Sequence, residues 1–182
     1  MISENNLDRN KVIIMTQDEG RFGRVNIPKS SWAPMGTRPN VAKQVVRQSF
    51  YVYCAVAPML GKISSLILPF GNTEMMNLFL ENVSYDFKEH TIIMQVDGAG
   101  WHRSKDLKIP ENIYFIQQPP YSPEVNPTEH IWDELREKYL FNKIFNSLEH
   151  TLEEVCKGLK DLSGNPEYIK SMTCFPYLNV TY

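Results

Sequence analysis

Two apolar segments that each run into an aspartate limit the fold of this chain more than any other feature. Segment 12–15 leads to Asp18, and segment 91–96 leads to Asp97. Short apolar runs bounded by turn residues are typical of strands buried on both faces, which occur in parallel or mixed sheets covered by helices. Since the ends of parallel strands meet at one edge of a sheet, the pattern predicts two carboxylates at that edge.

The rest of the sequence predicts an α/β chain. Residues rich in Val, Tyr and Phe indicate further strands, and apolar residues at helical spacing indicate helices. In chain order, the predicted strands are 12–15, 44–57, 62–68, 91–96 and 113–116, and the predicted helices are 73–85 and those that begin at Asn126 and Ser147. Three strands followed by alternating helices and strands predict a mixed sheet whose first strands form an antiparallel meander.

Length and composition indicate one domain in a reducing compartment. The 182 residues fit a single domain, and we expect a tail at 1–10, a domain at 11–163 and a tail with little pattern at 164–182. Three cysteines without a C-x-x-C pair suggest neither a disulfide framework nor a cysteine zinc site. No signal peptide and no segment long enough to cross a bilayer is apparent, so we expect a soluble, intracellular protein.

The net charge of −2 speaks against a chain that coats nucleic acid, but the charge is unevenly distributed. The predicted loop between Gly20 and Phe50 holds six cations and no acid: Arg21, Arg24, Lys29, Arg38, Lys43 and Arg47. Trp32 lies in the same loop, where an aromatic ring among cations can stack on bases, although a packed tryptophan is the alternative. The segment predicts a nucleic-acid contact.

A third carboxylate, Glu129, follows a proline-rich segment and falls in the first turn of a predicted helix. With Asp18 and Asp97 it can form an oxygen site for Mg²⁺ or Mn²⁺, and two such ions serve phosphodiester cleavage. Each residue also has a structural explanation when taken alone. The aspartates can be turn residues, and Glu129 can complete a capping box with Asn126.

Three segments together carry a resemblance to a known family: QDEGRFG at 17–23, VDGAGWH at 96–102 and PPYSPEVNPTEHIW at 119–132. They resemble the catalytic domain of DDE transposases, in the bacterial insertion-sequence branch of the mariner-like superfamily. Asp97 and Glu129 are 32 residues apart (129 − 97), which is compatible with the short spacing of that superfamily. One departure is Asp-Gly-Ala-Gly at 97–100, where the family more often has Asp-Asn-Ala.

The resemblance spans roughly residues 12–162 and implies a ribonuclease-H-like fold, with a mixed five-stranded sheet whose first three strands are antiparallel, flanked by helices. It implies that Asp18, Asp97 and Glu129 are catalytic and bind two Mg²⁺ ions, for which Mn²⁺ can substitute. The implied activity is DNA transposition: cleavage of transposon ends and strand transfer into target DNA at TA sites.

The resemblance also implies partners and a location. The expected partners are double-stranded DNA, a second copy of the chain, and a helix-turn-helix portion that is encoded separately, cut off or lost, in a bacterial cytoplasm and at the nucleoid. The residues expected to contact DNA are Arg21, Arg24, Lys29, Trp32, Arg38, His102 and Arg103.

Two other functions stay open from the sequence. The chain can be a catalytically inactive DNA-binding or assembly protein descended from a transposase. It can also be a host nuclease of the ribonuclease H type, but such enzymes need a fourth carboxylate. Glu19 is not counted as a ligand, because neighbouring residues of a strand point to opposite faces.

Overall fold

A computed structural model describes residues 11–178 except 27, 31, 38–39 and 121, and without the side chains at 103, 123 and 177. The strands are β1 Val12–Val25, β2 Val45–Ala57, β3 Lys62–Leu68, β4 Thr91–Val96 and β5 Ile113–Gln117. The α-helices are α1 Thr73–Asp86, α2 Thr128–Leu135, α3 Leu148–Ser163 and α4 Pro166–Thr173, and a π-helical turn, Arg136–Leu140, extends α2.

The five strands form one mixed sheet in the order β3-β2-β1-β4-β5. β1 pairs antiparallel with β2, and β2 antiparallel with β3, whereas β1, β4 and β5 are parallel to one another. The first three strands therefore form the antiparallel meander that the sequence predicts, and the α/β class with a mixed five-stranded sheet is confirmed. Antiparallel strands need only a tight turn, while each parallel step needs a longer crossover.

Helices cover both faces of the sheet, and each face has its own apolar core. Met15, Tyr53 and Phe79 belong to the cluster under α1. Cys54 and Trp132 belong to the cluster under α2, α3 and α4. Tyr53 and Cys54 are neighbours in β2, and both are fully buried. This inner strand therefore has no solvent-facing side at that point, which explains its nearly continuous apolar sequence.

β1 is longer than the sequence predicts. The predicted strand ends before Asp18, but β1 continues to Val25 because β2 pairs with it over the whole distance, from Thr16↔Val56 to Val25↔Val45. β4 pairs with β1 only as far as Thr16. Beyond that residue, β1 and β2 form a two-stranded ribbon at the edge of the larger sheet, with a change of register near Gly23. Part of the segment predicted as loop is therefore strand.

The segment expected to be a C-terminal tail contains α4. Asn165 caps this helix by accepting from the Tyr168 amide, and Pro166 occupies its first turn. This is a common start signal for a helix. Ile169 is fully buried in the core under α2 and α3, so the domain extends beyond residue 163. Residues 1–10 and 179–182 lie outside the described part of the chain. Within the described part, no helix is long and apolar enough to cross a membrane.

Candidate active site

Buried hydrogen bonds fix α2 on β1. The Thr128 hydroxyl donates to the Thr16 carbonyl at 3.0 Å and lies 2.9 Å from the Thr16 hydroxyl. The Asn126 amide nitrogen donates to the Gln17 carbonyl at 3.3 Å, while its oxygen accepts from the Thr128 amide at 3.1 Å. Helix α2 begins at Thr128 with Pro127 directly before it, so Asn126 is not the N-cap that the sequence predicts. Its side chain instead links the Thr128 amide to β1 and ties the helix start to the sheet.

Asp18 is held from both sides in the middle of β1. Its Oδ1 accepts from the Glu19 amide at 2.9 Å, and its Oδ2 accepts from the Trp132 indole at 2.8 Å. Trp132 lies one helical turn after Thr128, so both residues face β1. Gly20 makes this approach possible, because a Cβ at that position would lie 3.0 Å from the Trp132 ring and 2.6 Å from Phe22.

The surroundings of Asp18 resist its ionisation. Burial raises its pKa, the Trp132 hydrogen bond opposes the increase, and the nearby charges of Glu129 and Glu19 add to it, giving a pKa of about 6. A carboxyl group that is buried close to other acids is stabilised in its ionised form by a bound cation.

Asp97 follows β4 next to Asp18. The parallel register pairs Thr16 with Gln95, and two residues further along each chain come Asp18 and Asp97. The Asp97 Oδ1 accepts from the Ala99 amide at 2.8 Å and lies 2.9 Å from His102 Nδ1. The His102 hydrogen bond lowers the pKa of Asp97.

The three predicted acids line one cavity of about 720 Å³. Glu129 follows Thr128 in the first turn of α2, so its side chain lies beside the face that contacts β1. The lining residues are Asp18, Asp97, Gly98, Gln117, Gln118, Pro119, Pro120, Ser122, Asn126 and Glu129. Among the residues that the structure describes, no three acidic, histidine or cysteine side chains are close enough to hold one ion by themselves. Any ion here would complete its shell with other oxygens.

His102 and Glu19 lie behind the cavity. Their side chains are 2% and 5% exposed, and His102 Nε2 lies 3.4 Å from Glu19 Oε1. Burial would lower the pKa of His102, but the hydrogen bonds to Asp97 and Glu19 outweigh it and raise the pKa to about 10. His102 is thus placed to hold Asp97, and its burial argues against the DNA contact expected for it. Glu19 points away from the cavity, as strand alternation predicts.

Of the other residues expected to contact DNA, Arg21 and Arg24 lie on the β1–β2 ribbon, and Lys29 and Trp32 follow it along the chain. Arg21 is exposed, with its Nε 2.9 Å from the Ser49 hydroxyl. Arg24 donates to the Phe145 carbonyl at 3.0 Å, and Lys29 lies 3.4 Å from Glu137. Trp32 is fully exposed, which differs from a packed tryptophan. Arg38 and the Arg103 side chain lie outside the described part of the chain.

Sequence reasoning did not assign the residues that hold the carboxylates. Trp132 is 1% exposed, as expected of a core residue, yet its indole nitrogen also donates to Asp18. The i, i+4 spacing from Thr128 to Trp132 was the available signal. Gln117 and Gln118, which line the cavity, carried no signal that separates them from ordinary strand-end residues.

The parallel strands, the helices on both faces and the acidic cavity at the strand ends define a ribonuclease-H-like domain with a DDE arrangement of carboxylates. The family model described as DDE superfamily endonuclease matches residues 14–151. The chain therefore belongs to this family. The uncharacterized protein y4pE/y4sA of Sinorhizobium fredii (strain NBRC 101917 / NGR234) is 36% identical over 124 residues, which is 67% of this chain and 91% of that protein.

Solved structures of the Mos1 transposase have the same fold. Its paired-end complex with the left transposon end has a TM-score of 0.59 and 16% identity over 93% of this chain and 58% of that chain. The Mos1 strand transfer complex has a TM-score of 0.58 and 16% identity, over 93% and 57%. The Mos1 mariner paired end complex with Mn has a TM-score of 0.58 and 16% identity, over 87% and 54%. The chain thus spans somewhat more than half of the Mos1 chains.

Proposed function

We propose that this chain is the catalytic domain of a DNA transposase, which cleaves transposon ends and joins them to target DNA. The observation that carries the proposal is the convergence of Asp18, Asp97 and Glu129 on one cavity from three separate parts of the chain. Membership of the DDE endonuclease family and the likeness to Mos1 complexes with transposon ends support it.

The donor set suits hard divalent cations. Carboxylate and amide oxygens line the cavity, and Mg²⁺ typically takes one or two protein carboxylates while water and phosphate oxygens complete its shell. This preference agrees with three carboxylates that line one cavity but, among the described residues, are not close enough together to coordinate one ion by themselves. We propose Asp18, Asp97 and Glu129 as ligands of two Mg²⁺ ions, with Mn²⁺ as a substitute. The Mos1 complexes include one with Mn and one with Mg.

When bound, such ions would polarise the scissile phosphate and promote attack on it. Asp97 is held by His102 and Ala99, and Asp18 by Trp132 and Glu19, so both carboxylates would offer ordered oxygens to the ions. In the first step, water attacks phosphorus and the P–O3′ bond breaks, which frees a 3′-hydroxyl. In the second step, that hydroxyl attacks a phosphodiester of the target, which we propose lies at a TA site, and the displaced 3′-oxygen leaves.

DNA would approach along the β1–β2 ribbon. Arg21 is exposed on this ribbon, three residues after Asp18. By strand alternation its side chain lies on the opposite face from Asp18, so DNA that contacts both must cross the edge of the ribbon. We propose that Arg21, Arg24, Lys29 and Trp32 contact this DNA through phosphate and stacking interactions, and the same role is proposed for Arg38 and Arg103. A second copy of the chain and a helix-turn-helix portion would complete the bacterial, cytoplasmic complex.

Nicking of supercoiled plasmid tests the proposal. We expect the purified chain to nick DNA that carries the ends of its element in Mg²⁺ or Mn²⁺, and not in EDTA. Asp97→Asn should abolish nicking because it removes one ligand charge. Asp106→Asn is a matched control, since Asp106 is exposed in the same β4–β5 connection and does not line the cavity.

Cleavage that persists in Asp97→Asn or in EDTA would refute the metal-dependent mechanism. Binding of end DNA without cleavage by the wild-type chain, under conditions where Mn²⁺ is bound, would favour the inactive DNA-binding alternative. A host nuclease would cleave without regard to the element's ends.

A further inference from the structure

A buried chain of polar contacts leads from the far face of the sheet to Asp97. The Glu19 Oε1 accepts from Gln17 Nε2 at 2.9 Å and from the Trp101 indole at 3.2 Å. The same oxygen lies 3.4 Å from His102 Nε2, and His102 Nδ1 lies 2.9 Å from Asp97 Oδ1. Four side chains thus connect the interior of the sheet with one carboxylate of the cavity.

The inner end of this chain of contacts lies in a strand, and its outer end lies in a loop. Glu19 belongs to β1 and is paired with Tyr53 of β2. Asp97 lies beyond the last residue of β4, in a connection without regular strand pairing, and its side chain is 43% exposed. A half-exposed carboxylate in a loop has several available rotamers, so a contact to the rigid sheet restricts it.

His102 uses both ring nitrogens inside the protein. One faces Glu19 and the other faces Asp97. The rings of Trp101 and Phe115 lie edge-on, with centroids 6.1 Å and 6.3 Å from that of His102. Because its ring plane and both nitrogens are fixed, His102 holds Oδ1 of Asp97 at a defined position relative to Glu19. Oδ2 of Asp97 is then the oxygen that can bind a ligand in the cavity.

We propose that Glu19 is a positioning residue that orients the Asp97 carboxylate through His102. The inference rests on the proposed function, because it concerns the carboxylate that is to hold a divalent ion. Carboxylate ligands are generally fixed by hydrogen bonds from surrounding groups, and loss of such a group typically lowers metal affinity about 10–100-fold. Glu19 would thus affect ion binding without lining the cavity.

The test measures how tightly the metal-free protein binds Mn²⁺, with the EPR signal of free Mn²⁺ as the readout. The proteins compared are wild type, Glu19→Ala, Glu19→Gln, His102→Ala and the Glu19→Ala/His102→Ala double variant. Both single alanine variants should bind Mn²⁺ about tenfold more weakly. The double variant should be no weaker than His102→Ala, because Glu19 acts through His102. Glu19→Gln should lose less than Glu19→Ala, since its amide oxygen can still accept from His102.

His90→Ala is the matched control. His90 directly precedes β4, is partly buried and packs on Phe87. This variant shows how the loss of a histidine at the opposite end of the same strand affects Mn²⁺ binding. A merely structural role of Glu19 would lower the melting temperature and leave the Mn²⁺ dissociation constant of the folded protein unchanged. Thermal unfolding of each variant is therefore recorded beside the titration.

Asp97→Asn separates the two proposals. If Asp97→Asn weakens Mn²⁺ binding while Glu19→Ala and His102→Ala bind like wild type, the positioning role is refuted and the proposed function stands. Independent losses that add in the double variant would also refute it. If wild type and Asp97→Asn bind Mn²⁺ alike, Asp97 is not a ligand, and the proposed function fails together with the inference.

Discussion

Replacement of Asp18 by Asn is expected to stabilise the metal-free protein at pH 8, although it removes a proposed metal ligand. The pKa of Asp18 is raised from 3.8 to about 6, so its ionisation costs the folded state about 3 kcal/mol above pH 6. Asn carries no charge and avoids that cost. It keeps one oxygen acceptor and loses the other, which leaves the Trp132 or the Glu19 N–H unpaired at a cost of about 1–2 kcal/mol. The net gain is about 1–2 kcal/mol.

The pH dependence distinguishes the charge effect from the hydrogen-bond effect. At pH 4, Asp18 is protonated in the folded state and about half ionised in the unfolded state, so the cost is still small; it grows as pH rises to about 6. In EDTA, the free energy of unfolding of Asp18→Asn minus that of wild type should therefore rise by about 2 kcal/mol between pH 4 and pH 8. The lost hydrogen bond contributes equally at both pH values.

Urea unfolding at pH 4, 6 and 8 measures this difference, and Asp97→Asn provides a comparison of opposite sign. The pKa of Asp97 is lowered, so its ionised form stabilises the folded state above its unfolded pKa, and this stabilisation is lost as pH falls. Asp97→Asn should therefore be destabilising at pH 6 and at pH 8 alike, and its effect should fade only as pH falls below the unfolded pKa of the carboxyl. A difference for Asp18→Asn that is the same at all three pH values, or that decreases as pH rises, would show that the buried acid does not carry the cost assigned to it.

Three further predictions concern the groups around the site. Gly20→Ala should destabilise the fold by about 1–3 kcal/mol and reduce cleavage, since its Cβ would meet Phe22 and the Trp132 ring; urea unfolding and plasmid nicking measure the two effects. Thr128→Val should cost about 1–3 kcal/mol, because it removes the donor to the Thr16 carbonyl and the acceptor of the buried Thr16 hydroxyl; the unfolding midpoint reports it. Arg21→Gln should lower the slope of log affinity for duplex DNA against log salt by about 1, as fluorescence anisotropy would show, and an unchanged slope would exclude a phosphate contact.

The sequence predicts the site well because motif and geometry depend on the same local features. Apolar segments with an aspartate at or near their ends place Asp18 and Asp97 beside each other once the strands are parallel, and Asn126-Pro127 starts the helix that carries Glu129. These features are short-range in sequence. They are sufficient to predict which carboxylates converge, but not how each of them is held.

Long-range pairing accounts for what the sequence did not predict. β1 extends to Val25 only because β2 pairs with it from the other side of a turn-rich segment. The contact between His102 and Glu19 joins residues that are 83 positions apart, a distance that no local pattern spans. The helix at 166–173 is a different case, since Asn165-Pro166 is a local start signal that the sequence analysis did not use.

The residues that line the cavity, in the part of the chain that the structure describes, include three carboxylates and neither Lys nor Arg. Without an ion, such a surface repels a phosphodiester, so affinity for DNA at this point and affinity for the cation are thermodynamically linked. By linkage, if the bound cation raises the affinity for DNA by some factor, bound DNA raises the affinity for the cation by the same factor. At low Mg²⁺ we therefore expect this surface to bind a phosphodiester weakly, and a phosphodiester bound there to raise its affinity for the ions in turn.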